Sequence, residues 1–417
     1  MRILRLTNAT AEQLLSGRRR RDLYAERVAA RILADVRRRG DSAVLGWTRR
    51  LDGIALHPAS IWIGRRELAQ ARRQVDRKLL RALEHAAQNI RRVAERQIPR
   101  PWSFEVEPGV RVGQRVEPIE TIGCYIPGGR FSLASTLLMT VVPAQVAGVR
   151  RIVITCPRPN AAVLAAAGLL GQSEIARVGG AQAVGALAFG TKTFPQVDKI
   201  FGPGNRYVTA AKRLVSGNCA VDLPAGPTEV LILASLGNPG WIAADLLAQA
   251  EHDADAVALF VTTSRRLARA VREEVARQLR SLPAWSPAVR SLEKNGAILL
   301  APSLEAAMWF TNCFAPEHLS LPGGEPRVLA RVRSAGSIFL GPWSAQPVGD
   351  YASGTNHVLP TGGWARARGG LSAWDFVKCA SVQRISRAGL RRLAPTVTAL
   401  AEAENLAAHA RAVEMRR

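Results

Sequence analysis

Cysteine is scarce and scattered in this chain. Its five copies (Cys124, Cys156, Cys219, Cys313 and Cys379) form no CxxC pair and no regular spacing. That excludes a disulfide framework or a thiolate zinc site as the organising device. In a reducing compartment such thiols serve as small apolar residues. Long apolar runs are missing too, since none reaches the ~20 residues that cross a bilayer. The opening stretch MRILRLTNATAEQLL carries an Arg at its fifth position and no small-residue cleavage site behind an apolar core. No secretory signal is read, so the expected location is the cytoplasm, with no membrane partner. Acidic residues are few, 33 against 57 Lys and Arg, giving a net charge of +24. The excess invites a nucleic-acid reading, with Gly17 to Asp22 (GRRRRD) as the patch. Yet the cations are mostly Arg, spread through every segment, with no interleaved aromatics and no reader motif. Salt-sensitive adhesion to polyanions is expected of such a chain; specific nucleic-acid recognition is not.

What remains is a globular protein. With 417 residues, 47% hydrophobic and 22% charged, the chain can form two or three domains with real cores. Residues 1 to about 120 read mostly as amphipathic helices, for example VDRKLLRALEHAAQNIRRVAERQ. From about 125 the pattern alternates between apolar strands (RRIVITCP, AVALFVTT, GAILLAP) and helices (AAVLAAAGLL, RRLARAVREEVARQL). Such alternation is the grammar of parallel sheets with crossover helices. AQVAGVRRIVITCP and AQAEHDADAVALFVTT echo one another, which fits a duplicated unit. The expected fold is α/β, with two Rossmann-like domains built on parallel sheets plus small N-terminal and C-terminal helical modules.

Candidate chemistry concentrates in a few polar spots. LLAQAEHDAD puts Gln249 and His252 three apart on a predicted helix, hence on one face. VGDYASGTNHVLPT offers Asp350 and His357 in a Gly-rich loop between strands, and EAENLAAHA offers Glu404 and His409. Imidazole and carboxylate without thiolate suit Zn²⁺, although no single spacing here is diagnostic. The loops YIPGGRFSLAS, VGGAQAVGALAFG, FGPGNRY and DLPAGPTE could admit a phosphate or serve as tight turns, and no GxGxxG fingerprint decides between these. TNCFAPEHLSL sets Glu317 beside His318 behind a proline. Neighbours cannot share a face of regular structure, so the two are either a surface pair or two groups for two steps.

Taken in order, IGCYIPGGRFSLASTLLMTVVPAQVAGV, VGGAQAVGALAFGT, IFGPGNRYVTAAK, DLPAGPTEV, LLAQAEHDAD, APEHLSL, GDYASGTNHVLPT, GLSAWDF and AENLAAHARAV closely resemble the histidinol dehydrogenase family. The resemblance implies four-electron oxidation of L-histidinol through the aldehyde to L-histidine, with two NAD⁺ and one Zn²⁺ per subunit of a homodimer. It implies Gln249, His252, Asp350 and His409 as zinc ligands, which also meet substrate. Thr228, His318, His357 and Glu404 are implied as further substrate contacts, and Tyr125, Gln182 and Asn205 as NAD⁺ contacts. His318 is implied as the base for the alcohol, and Glu317 as the carboxylate that activates water on the aldehyde. The Pro-led loop is expected to free both side chains from strand geometry. The expected division is residues 1–20 as a helical segment, 21–124 with 230–372 on the substrate and metal side, 125–229 on the NAD⁺ side, and 373–417 reaching the partner subunit.

Glu404 and His409 are about 140° apart on an unbroken helix, so converging on one ligand needs a bend. The family usually has Gly after the Glu; Asn405 stands here and tolerates left-handed backbone next best. Thr228 replaces a usual Ser, which leaves a second reading: a scaffold-sharing zinc and NAD⁺ dehydrogenase for another small polar alcohol such as sulfopropanediol. Cys124, a rival nucleophile for the aldehyde step, has no neighbouring cation to make it a thiolate.

Overall fold

The computed structural model describes residues 1–16, 18, 22–128, 133–223 and 226–417. The run Gly17 to Asp22 and the loops YIPGGRFSLAS and DLPAGPTE lie partly outside them. Strand β1 (Arg2–Arg5) opens the chain, so the segment expected to be helical becomes so only at Asn8–Leu15. After this helix and four more α-helices among the described residues, β2 (Trp102–Glu107) and β3 (Val110–Pro118) pair antiparallel. Strands β4 (Thr121–Tyr125), β5 (Arg151–Thr155), β6 (Ile175–Ala176), β7 (Lys199–Phe201) and β8 (Ala220–Val221) form a parallel sheet in the order β6-β5-β4-β7-β8. Strands β9 (Glu229–Leu233), β10 (Val257–Thr262), β11 (Gly296–Leu300), β12 (His318–Leu321) and β13 (Ser337–Leu340) join β1 in a second parallel sheet, ordered β1-β11-β10-β9-β12-β13. Strand β14 (Val377–Ile385) returns to pair with β3. The helices Arg387–Ala403 and Ala407–Glu414 close the chain. No helix among the described residues is long and apolar enough to cross a membrane.

The strands read as unbroken apolar runs because both faces of each parallel sheet are covered. In β5, Ile152 and Ile154 face one core, shared with helix Ala134–Ala147, while Val153 faces another, shared with helix Gly180–Phe189. In β9, Val230 and Ile232 point one way and Leu231 and Leu233 the other. Helices Leu23–Arg39 and Arg77–Gln97 bury Ile32, Val36, Leu83 and Ile90 against the five-stranded side, and the cluster around Leu83 and Ile90 also takes in Val358 and Leu371. Periodicity reveals that a helix has an apolar face but not which sheet will cover it.

This topology fixes where chemistry can sit. Tyr125 ends β4, whereas Glu229 and His318 begin β9 and β12. The short link from β8 to β9 therefore joins the C-terminal edge of one sheet to the N-terminal edge of the other.

Candidate active site

Helix Leu304–Phe314 is ended by Ala315 in left-handed backbone, φ 48°. The chain then turns through Pro316 and Glu317 into β12, whose first residue is His318. The carbonyls of Pro316 and Glu317 accept the N–H groups of Gly336 and Ser337, both at 2.9 Å. His318 is thus inside strand geometry and Glu317 just ahead of it, which corrects the expectation that a loop frees both. Convergence comes instead from the backbone of one residue, Glu229, through its N–H and its carbonyl. Glu317 Oε2 accepts the Glu229 N–H at 2.7 Å and the Thr228 hydroxyl at 2.6 Å. His318 Nδ1 donates to the Glu229 carbonyl at 3.1 Å and lies 3.6 Å from Glu317 Oε2. With Nδ1 donating, Nε2 carries the free lone pair of the neutral ring. Nε2 is buried without a well-aligned hydrogen bond, and Asp350 Oδ1 stands 3.4 Å away.

Burial alone would push the His318 imidazole down, but the Glu317 and Asp350 carboxylates outweigh it and raise the group to about 10. Burial likewise pushes Asp350 up, and the facing imidazole overrides this and holds it low. A folded-state value above the ordinary ~6.5 means stability that is full below ~6.5 and fades as pH rises through the folded value. Asp350 is the other half of the same interaction, and its share fades only on acidification. In chelator-treated protein the melting temperature is therefore expected to fall between about pH 7 and 10, and His318→Gln to flatten that slope. Equal slopes in calorimetric scans of the two proteins would show that His318 carries no such charge.

Gln249 is fully buried on helix Pro239–Ala250; its Nε2 donates to the Thr228 hydroxyl, while its Oε1 is buried without a partner. An orphaned amide oxygen of this kind is what a hard or borderline cation would satisfy. Asp350 lies on a short helix, Gln346–Tyr351, rather than in a loop, and its Oδ2 accepts Gln346 Nε2 at 2.5 Å. His252 is exposed and two residues past the helix end, because the run EHDAD is too polar to continue the buried face, yet it lies within electrostatic reach of Asp350. These three fit an oxygen and imidazole donor set. Among the described residues no group of three or more His, Cys, Asp or Glu forms a metal cage.

His409 and Glu404, the other expected contributors, are exposed on the C-terminal helices. Asn405 between them has φ 58° and breaks the helix as its chemistry predicts. His357 follows the Asp350 helix in a coil with no strand until β14; Nδ1 donates to the Asp350 carbonyl at 2.8 Å and Nε2 accepts from Thr136 at 3.3 Å. Burial pushes this imidazole down.

On the other sheet, the buried Tyr125 hydroxyl accepts the Gly180 N–H at 3.1 Å, and burial pushes its phenol up. Gln182 is fully buried, donates to Asp52 Oδ2 at 3.1 Å, and leaves its Oε1 without a partner. Asn205 caps helix Arg206–Val215, accepting from Tyr207 and Val208 at 3.0 and 3.1 Å. Tyr125 ends β4, Gln182 stands in the first turn of helix Gly180–Phe189, and Asn205 precedes the helix that follows β7. Cys124 is fully buried and pushed up to about 12 by that burial, so it is no thiolate. Sequence reading overlooked Glu229, Asp52 and Gln346. Only Glu229 left a signal there, as an acid opening the apolar run VLILA.

Two parallel sheets, with a buried carboxylate–imidazole pair at the start of β9 and β12, define an α/β protein with a candidate acid–base site. A sequence model described as histidinol dehydrogenase matches residues 17–417. Histidinol dehydrogenase of Methanosarcina barkeri is 46% identical over 419 aligned positions, covering 99% of this chain and 96% of that protein. The Geobacillus kaustophilus enzyme is 49% identical, covering 92% of each. The crystal structure of histidinol dehydrogenase from Elizabethkingia anophelis superposes with a TM-score of 0.93 at 37% identity, covering 100% of this chain and 98% of that one. The chain belongs to the histidinol dehydrogenase family, oxidoreductases that act on a CH–OH group.

Proposed function

We propose that this chain oxidises L-histidinol through L-histidinal to L-histidine as a zinc-dependent, NAD⁺-linked homodimer in the cytoplasm. The observation that carries the reading is the Glu317–His318 pair gathered around the Glu229 backbone, with His318 Nε2 buried and open. In the first step Nε2 takes the hydroxyl proton while the carbinol hydrogen leaves as hydride. In the second, Glu317 takes a proton from water as its oxygen adds to the aldehyde carbon. The resulting hydrate gives up a second hydride to become the acid, which releases its protons to solvent and leaves as the carboxylate. Tyr125, Gln182 and Asn205 would hold NAD⁺, which would supply the hydride acceptor, and Gln249, His252 and Asp350 would hold a Zn²⁺ that would supply Lewis acidity. Gln249 orients Thr228, which donates to Glu317, so the hydroxyl of Thr228 fixes the carboxylate from one side. With Asp350 engaged by a cation, His318 loses one of the two carboxylates that raise it, and it returns toward the range where it serves as a base.

Dimerisation is supported by what one chain leaves uncovered. Beside Asp350, the edge strand β13, the turn after it and helix Gln346–Tyr351 expose Ile338, Trp343, Val348 and Tyr351, with Trp343 82% exposed. The helices that carry Glu404 and His409 expose Leu400 and Leu406. We assign the first patch to the second in a partner copy, which would bring His409 as the missing donor. The deciding experiment is the NADH yield per histidinol consumed, measured to completion. Two equivalents are expected; one equivalent with histidinal accumulating would reduce the chain to a simple alcohol dehydrogenase.

A further inference from the structure

Arg18 belongs to the basic run GRRRRD, yet its guanidinium reaches the back of the catalytic pair. Nη2 pairs with Glu229 Oε2 at 2.5 Å, and Nη1 donates to the carbonyl of Phe314. The guanidinium carbon sits 3.4 Å from the centre of the Phe314 ring. Both partners in the ion pair are mostly buried, with side chains 12% and 6% exposed. Glu229 Oε1 accepts the Gly362 N–H at 3.2 Å, which completes the carboxylate's anchoring.

These contacts join two segments whose spacing sets the site. Glu229 supplies the N–H that holds Glu317 and the carbonyl that holds His318. Phe314 is the last residue before Ala315, whose left-handed backbone (φ 48°) aims the chain at Glu317. An alanine adopts that conformation only when its surroundings enforce it, and Arg18 grips the carbonyl on one side of it. We propose that Arg18 is a positioning residue that sets Glu317 against the Glu229 peptide, and through it governs the aldehyde half of the reaction. His318 is less dependent on this clamp because its backbone is fixed in the β12–β9 pairing opposite Val230. Glu317 lies ahead of that pairing and takes its place from the turn.

The inference rests on reading Glu317 and His318 as the catalytic pair. Its test uses full-length zinc-loaded enzyme and assays histidinol and histidinal oxidation separately. Arg18→Lys keeps the cation but cannot span both Glu229 and the Phe314 carbonyl. Arg18→Met/Glu229→Met removes both charges at similar bulk. Each is expected to lower kcat on histidinal by about tenfold or more with KM near wild type, and to lower kcat on histidinol far less, because small misplacements of a reacting group are costly. A folded Arg18→Lys enzyme with unchanged kcat on histidinal overturns the proposal. So does an equal loss in both half-reactions, the signature of a smaller folded fraction, checked by a melting curve. Should Glu317→Gln itself leave histidinal oxidation intact, the underlying reading fails instead, whatever the Arg18 variants do.

Discussion

His318→Gln is expected to lower histidinol oxidation by about 10²- to 10⁴-fold, whereas Glu317→Gln leaves that step nearly intact and slows histidinal oxidation about 10²-fold. The asymmetry follows from what each replacement preserves. A glutamine at 317 can still present an amide oxygen to the Glu229 N–H and the Thr228 hydroxyl, the two donors that now grip Oε2. The fold around β9 and β12 is therefore kept, and only the capacity to take a proton from water is lost. A glutamine at 318 can donate to the Glu229 carbonyl in place of Nδ1 but offers no basic nitrogen where Nε2 stands. Single-turnover absorbance at the NADH band, with histidinol and then histidinal as substrate, separates the two steps. The Glu317→Gln enzyme should stall after about one NADH per histidinol. Equal damage to both steps in that variant would defeat the division of labour, and the pair would have to act as one unit.

The alternation of apolar strands and helices from residue 125 onward was enough to announce two parallel sheets, because buried strands must be apolar on both faces. The adjacency of Glu317 and His318 was equally visible, as was the bend at Asn405, where the residue type alone tolerates φ 58°. What stayed hidden were contacts made across long stretches of chain. Nothing local to Arg18 announces that it meets Glu229, and nothing local to Leu23–Arg39 announces which sheet covers Ile32. His252 was placed on a helix by spacing, yet the helix stops at Ala250, since buried periodicity ends where the EHDAD run begins. The shared Glu229 backbone escaped notice for a deeper reason. Backbone groups carry no signature in a sequence, and here it is backbone that brings the two side chains together.

Mixing two separately inactive chains, Asp350→Asn and His409→Ala, is expected to restore about a quarter of wild-type activity. The arithmetic comes from two-fold symmetry: random pairing gives hybrids in about half of the dimers, and each hybrid has one site with neither substitution. It applies only if His409 serves the neighbour's site, and the geometry of one chain argues for that. Among the described residues, Gln249 Oε1 is buried without a partner, and the side-chain oxygens of Asp350 meet Gln346 and His318 alone. His409, meanwhile, is exposed on a terminal helix beyond the Asn405 bend. A donor set that is incomplete in one chain and a spare imidazole on that chain's surface are reconciled by exchange. Zinc content should track activity, with each parent binding weakly and the mixture holding about one tightly bound ion per hybrid dimer. If the mixture stays as inactive as its parents while gel filtration shows that subunits have exchanged, His409 works in its own chain or not at all.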